Sequence, residues 1–150
     1  MMNTMVFPTF KWSNREPNMN LLSTVKQYAD QIGWQFTDYD HTKTVIVVSI
    51  DSHRFQTVLA LTQKSRVSGR EQAIFSSKVC EYTSAIDLKA LLEQSASFDY
   101  SKFVLEDNFL KIEASCLVDS STQEQLKEMI QEVAQLADHY EFKLTGQDIH

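Results

Sequence analysis

The chain has 150 residues, a formal charge of −6 at pH 7, and a composition that is 43% hydrophobic and 11% aromatic. That length suits one domain with a real core, and the apolar fraction excludes a disordered polymer. The negative balance argues against a general nucleic-acid binder, which needs clustered Lys and Arg to neutralise phosphates.

Residues 1–17 carry Met5, Val6, Phe7, Phe10 and Trp12 ahead of a polar break at Ser13-Asn-Arg-Glu-Pro17. There is no basic start, and the apolar run is interrupted by Asn3, Thr4 and Pro8, so the segment does not read as a secretory signal. No apolar run approaches the ~20 residues of a membrane span. A cytoplasmic protein with no membrane partner is the expectation. The bulk of Phe7, Phe10 and Trp12 is expected to lie across something hydrophobic, either the chain's own sheet or a partner, which leaves 18–150 as a single α+β domain.

A first helix starts at Asn18 or Asn20, both good N-caps. Leu21, Leu22, Val25, Tyr28, Ala29 and Ile32 form its apolar face, and Gly33 suits the residue after its end. Four strands follow: Trp34 to Asp40, Thr44 to Ile50, Arg54 to Thr62, and Gln72 to Tyr82, joined at His41-Thr-Lys43, Asp51-Ser-His53 and a basic loop around Ser68-Gly69. Such short connections require antiparallel pairing. The second and third strands are apolar on both faces, through Val45 and Val47 against Ile46 and Val48, and through Val58, Leu59, Ala60 and Leu61. A sheet with one wet face shows clean alternation instead. Both faces should therefore be covered, one by the chain's own helices and the other by the N-terminal tail, a second subunit or a bound segment.

A second helix is announced by Ser84 with Asp87 three residues on; it carries Ile86, Ala90, Leu91 and Leu92 and frays near Gln94-Ser95. Lys102 to Glu106 and Phe109 to Cys116 then flank Asp107-Asn108, two residues able to take the positive φ of a two-residue hairpin loop. That loop sets Leu105 opposite Leu110, Phe103 opposite Ile112 and Lys102 opposite Glu113, with the apolar residues on one face and an opposite-charge pair on the other. Ser121-Thr-Gln-Glu124 reads as a capping box. Behind it Leu126, Met129, Ile130, Val133, Leu136, Ala137 and Tyr140 recur at helical spacing. The fold expected is an antiparallel sheet with helices packed on one face, in the order α-β-β-β-β-α-β-β-α.

No residue pattern carries an evident chemistry. Asp38, Asp40 and His41 put carboxylates and an imidazole together, but a metal site needs at least three converging ligands and this is a strand end before a turn. Asp138 and His139, with Cys80 or Cys116 as nucleophile, would be a base pair only if the Asp oriented its neighbour, and adjacent helix residues diverge by about 100°. The two cysteines have no zinc spacing and read as buried free thiols. Glycine-rich phosphate loops are absent. Lys64, Arg66 and Arg70 make one basic loop, and Glu124, Glu128, Glu132 and Asp138 make one acidic helix side able to meet a basic partner. No catalytic residue, cofactor or metal is expected.

The second half resembles the YbjN-domain family, which shares the type III secretion chaperone-like fold. The likeness lies in Leu91-Leu92-Glu-Gln-Ser95, a hairpin ending Leu110-Lys-Ile-Glu-Ala114, and a helix carrying Glu132-Val-Ala-Gln-Leu-Ala-Asp138; it spans roughly 84–148. The resemblance implies an α/β sandwich, commonly dimeric, that binds protein without catalysis by holding an extended client over hydrophobic patches. The reading it supports is a homodimeric protein- or peptide-binding module that uses Val45, Val47, Val58 and Ala60 on the sheet, with Phe7, Phe10 and Trp12 of the tail as exchange residues. Alternatives are a small-ligand sensor or enzyme with a pocket between the first helix and the sheet, lined by Asp38, Asp40 or the Lys64–Arg70 loop, and an inhibitor or immunity-type partner.

Overall fold

The computed structural model describes residues 43–146, the backbone of 35–40, and, as helix, Ser23 and Val25–Gln27. Phe7, Phe10, Trp12, Gly33, His41 and most of the first helix lie outside the described residues. Six strands follow the helical residues: β1 (Gln35–Asp40), β2 (Lys43–Ser49), β3 (Phe55–Lys64), β4 (Glu71–Glu81), β5 (Lys102–Glu106) and β6 (Phe109–Leu117). Helix α1 (Leu88–Ser95) separates β4 from β5, and α2 (Gln123–Thr145) follows β6 after a 3-10 turn at Val118–Ser120. The order expected from the sequence is the order observed.

The strands form one sheet in the order β1-β2-β3-β4-β6-β5, antiparallel at every pairing. Short turns make β1 to β4 a meander. The chain then leaves the sheet through α1, re-enters at the far edge as β5, and the hairpin slots β6 in beside β4. The hairpin has the register read from its sequence: Leu105 pairs with Leu110, Phe103 with Ile112 and Lys102 with Glu113. Asp107 and Asn108 sit at φ 53° and 63°. Two consecutive positive φ values match the right-handed twist of the flanking strands, which an ordinary type I turn would splay.

On one face, Ile46, Val48, Val58, Ala60, Ala73, Phe75, Val79, Leu110, Ile112 and Ala114 are buried in a single cluster with Val25, Leu91 and the apolar stripe of α2. Helix α2 lies against β4, with β3 and β6 on either side. The sequence makes room for it there: Phe75 is paired with Ala60 on one side and Ala114 on the other. One large ring between two small residues lets the helix settle onto β4, where its own Ala134 and Ala137 are fully buried. Leu126, Met129, Ile130, Val133 and Tyr140 complete the buried stripe, each contributing roughly 1.5–3 kcal/mol by leaving water. Phe103 meets Tyr140 edge-on at 4.9 Å, Phe98 stands 5.6 Å from Phe103, and the Tyr140 hydroxyl donates to Gln94 Oε1 at 2.6 Å. These contacts tie β5, the loop before it, α1 and α2 together.

Both described helices start later than the sequence suggests. The cap of α1 is Asp87, which accepts from the Ala90 amide at 3.1 Å, because Thr83 and Ile86 are already closed into a turn. The cap of α2 is Thr122, in a reciprocal box with Gln125. Ser121 belongs instead to the end of the 3-10 turn, where its hydroxyl donates to the Leu117 carbonyl at 2.7 Å. Gly146, at φ 74°, ends α2 by donating to the Phe142 carbonyl at 2.7 Å.

The hairpin turn gives a direct test. Asn108→Gly should raise stability by a few tenths to about 1 kcal/mol, and Asn108→Val should cost about 1–2 kcal/mol, since only the first relieves a left-handed backbone. Urea midpoints of the two variants against the parent measure both.

Candidate functional site

The sheet's second face carries none of the buried cluster, and the packed α2 lies on the other side. Residues paired directly across strands share a face, so the rows can be read from the register. One row runs Val45, Leu59, Ser76, Glu113, Lys102, and the next runs Lys43, Leu61, Ile74, Ser115. Val45, Val47, Leu59, Leu61 and Ile74 are half-buried. This open face is therefore aliphatic over β2, β3 and the start of β4, and polar over the end of β4, β6 and β5. The expectation of two apolar faces holds for β2 and β3. On β6, Lys111, Glu113 and Ser115 alternate with buried Leu110, Ile112 and Ala114, the pattern of a strand with one wet side.

The same register corrects the set of candidate contact residues. Val58 pairs with Ile46, and Ala60 with Thr44, so Val58 and Ala60 lie on the helical side, each 0% exposed. Val45 and Val47 are on the open face, and their β3 neighbours there are Leu59 and Thr57. The strict two-residue period of a strand was the signal that separates the two sets.

Where β3 and β4 part, a cleft opens on this face. Their paired residues run from Lys64–Glu71 to Leu59–Ser76 and stop, although β3 extends back to Phe55 and β4 on to Glu81. Side chains take over from the backbone ladder. Ser77 Oγ donates to the Thr57 carbonyl at 2.6 Å, and Gln56 Nε2 donates to Ser77 Oγ at 3.1 Å and to the Lys78 carbonyl at 3.3 Å. The resulting cleft of about 450 Å³ is lined by Val45, Leu59, Thr57, Ser76, Lys78 and Lys111, with Gln56 and Ser77 at the parting itself. Sequence reasoning missed it, because a polar Gln56 at a core-facing strand position was its only trace.

Several of the charged groups that looked available are engaged within the fold. Asp138, buried, accepts from Arg54 Nε at 3.2 Å and Nη2 at 3.0 Å, so it is a structural anchor on the packed side of α2 and not part of a solvated acidic surface. Glu132 accepts from the Asp99 and Tyr100 amides at 2.7 and 2.9 Å and from Ser101 Oγ at 2.7 Å, fixing the loop into β5. Glu128 accepts from the Tyr100 hydroxyl at 2.5 Å. In the basic loop, Arg70 pairs with Asp119. No group of three or more His, Cys, Asp or Glu able to hold a metal occurs among the described residues. The side chains of Asp38 and Asp40 lie outside them.

Cys80 is buried and Cys116 half-buried, both free. Burial pushes both thiols up, with Glu141 adding to the effect at Cys80 and Ser121 opposing it at Cys116. A nucleophilic cysteine needs the opposite shift. A second cleft, about 430 Å³, lies between α1 and the end of α2 with Cys80 in its wall, and a third, about 540 Å³, lies beside the committed carboxylates Glu128 and Glu132. The second also has Glu81 and Lys143 in its lining, while Asp87 there is the cap of α1.

No helix among the described residues is long and apolar enough to cross a membrane. No protein-family model and no curated protein matches the chain.

Two outcomes follow from these charges. Arg54→Met leaves the buried Asp138 carboxylate without its fork and should cost about 2–4 kcal/mol, whereas pairing it with Asp138→Leu should restore much of that loss; thermal melts of the single and double variants decide it. Burial pushes the Glu113 carboxyl up from 4.5, and Lys102 across the hairpin pulls it back by less. A raised folded value means that its contribution to stability is fully present below the unfolded value and is lost as the pH rises through the folded one. Glu113→Gln should therefore melt higher than the parent at neutral pH and equal to it in acid.

Proposed function

We propose that the chain is a non-enzymatic, chaperone-like module that binds an extended polypeptide and acts as a cytoplasmic homodimer, using the open face of its sheet. The observation that carries this reading is the in-register aliphatic strip of Val45, Val47, Leu59, Leu61 and Ile74 on the face opposite α2. An extended client presents alternate side chains to such a strip. Its half-buried aliphatic groups would gain most from being covered, at roughly 25 cal/mol per Å² of apolar surface. The resemblance to the YbjN-domain and secretion-chaperone fold implies the same class of activity.

A catalytic role finds less support. The carboxylates that would act as acid or base hold Arg54 and the loop before β5, and the thiols are shifted away from the reactive form. The inhibitor or immunity-type alternative rests on the acidic charge of the chain, and Glu128, Glu132 and Asp138, part of that charge, serve internal contacts. Phe7, Phe10 and Trp12 stay in the proposal as the tail residues exchanged between partners.

The test uses a permanently unfolded client, reduced and carboxymethylated lactalbumin, with binding followed by anisotropy and mass by sedimentation equilibrium. The parent should sediment as a dimer and bind. Val45→Thr combined with Leu59→Thr keeps strand-forming β-branched residues on the face and should weaken binding about tenfold, or about 1.4 kcal/mol, with unchanged far-UV circular dichroism. Equal affinity in parent and variant would remove the open face from the reading. Deleting residues 1–12 with no change in mass or binding would remove the tail.

A further inference from the structure

The open face is not uniformly apolar, and its charges do not cancel. Lys102 stands opposite Glu113, and Lys111 Nζ donates to Glu106 Oε1 at 2.9 Å. That leaves Lys78. It is paired in register with Lys111, and like charges directly opposite one another disfavour the pairing. Lys78 is exposed, makes no ion pair among the described residues, and holds its ammonium 4.7 Å from the centre of the Phe109 ring. Both lysines line the cleft at the parting of β3 and β4, together with Val45, Leu59, Thr57 and Ser76. Gln56, 1% exposed, also lines it, and its Oε1 is buried without a hydrogen-bond partner. Among the described residues the Gln56 oxygen lacks a donor, which is costly, and Lys78 is the ammonium in the cleft without a carboxylate, since Lys111 already has Glu106.

Granted the polypeptide-binding role proposed above, on which this assignment rests, the geometry points to a client whose strand carries an acidic side chain flanked by aliphatic ones, the carboxylate seated in the cleft between Lys78 and Lys111. The aliphatic neighbours lie along Val45, Leu59 and Leu61. The carboxylate supplies to Lys78 the counter-charge that Glu106 already gives to Lys111, while the Thr57 and Ser76 hydroxyls are at hand as donors. The site thus selects by charge, and the aliphatic strip supplies the sequence-tolerant part of the affinity.

The experiment compares three blocked strand peptides of alternating valine and threonine whose central residue is glutamate, glutamine or lysine, titrated against the full chain by calorimetry at low and high salt. The glutamate peptide should bind about three- to fivefold tighter than the glutamine peptide, the effect of one partly exposed ion pair, and more tightly still than the lysine peptide. Added salt should erase the difference. Lys78→Gln, at an exposed position, should abolish the preference, so that the glutamate and glutamine peptides bind the variant equally, and Lys78→Glu should turn the preference toward lysine. Equal binding of glutamate and glutamine peptides to the parent overturns the assignment and leaves the polypeptide-binding role standing. Binding of none of the three overturns both. Uptake of decanoate with none of the peptides bound also overturns both and makes the cleft a small-acid site.

Discussion

The packing of α2 on β4 organises the molecule. A helix seated on a sheet must bring its axis within reach of the strands, and the row Ala60–Phe75–Ala114 permits that by placing small residues on both sides of one ring. The helix answers with Ala134 and Ala137 at the contact and longer side chains to either side. Everything on the buried side follows from this contact: the hairpin must bring Ile112 and Ala114 beside β4, and the aromatic group of Phe98, Phe103 and Tyr140 then closes the end of the layer where α1 and β5 meet. Because Ala60, Ala73, Phe75 and Ala114 are essentially inaccessible, this face has no part to spare for recognition.

Charged residues hold the irregular parts to that core. Arg54, just ahead of β3, reaches α2 through Asp138; Glu132, on the same helix, gathers the backbone donors of the loop that delivers β5. Carboxylates that accept several amide or guanidinium donors are strong, directional ties, and they suit places where a chain must change direction without apolar side chains to guide it. The acidity of α2 is thus largely architectural. The open face, by contrast, carries charges whose partners lie across the strands or nowhere nearby, which is why it is the surface where selection by a partner is expected.

Much of this was legible before any coordinates. Asp107-Asn108 between two alternating runs determined the last hairpin, and the helical spacing from Leu126 to Tyr140 marked the packed side of α2. Local rules sufficed there because turn chemistry and periodicity act over a few residues. The caps differ by one residue at α2 and by three at α1, since Ser121 ends a 3-10 turn and Ser84 lies inside the turn that Ile86 closes onto Thr83. Runs of consecutive apolar residues hid which of Val58, Leu59, Ala60 and Leu61 faced the helix; only the pairing partner on β2 decides it. The roles of Glu132 and Asp138 were beyond reach, because the groups they bind are 31 to 84 positions away in the chain.

The place where β3 and β4 part has a mechanical meaning. Backbone ladders resist shear because each bond is repeated by its neighbours, whereas the links from Gln56 and Ser77 are single side-chain ties with no repeat behind them. The parting is confined to that end: β3 and β4 stay paired from Leu59–Ser76 to Lys64–Glu71, and α2 bridges both strands. A joint of this kind lets the two unpaired ends move apart at small cost while the rest of the sheet holds. Anything seated across it would act as a splint for those two strand ends.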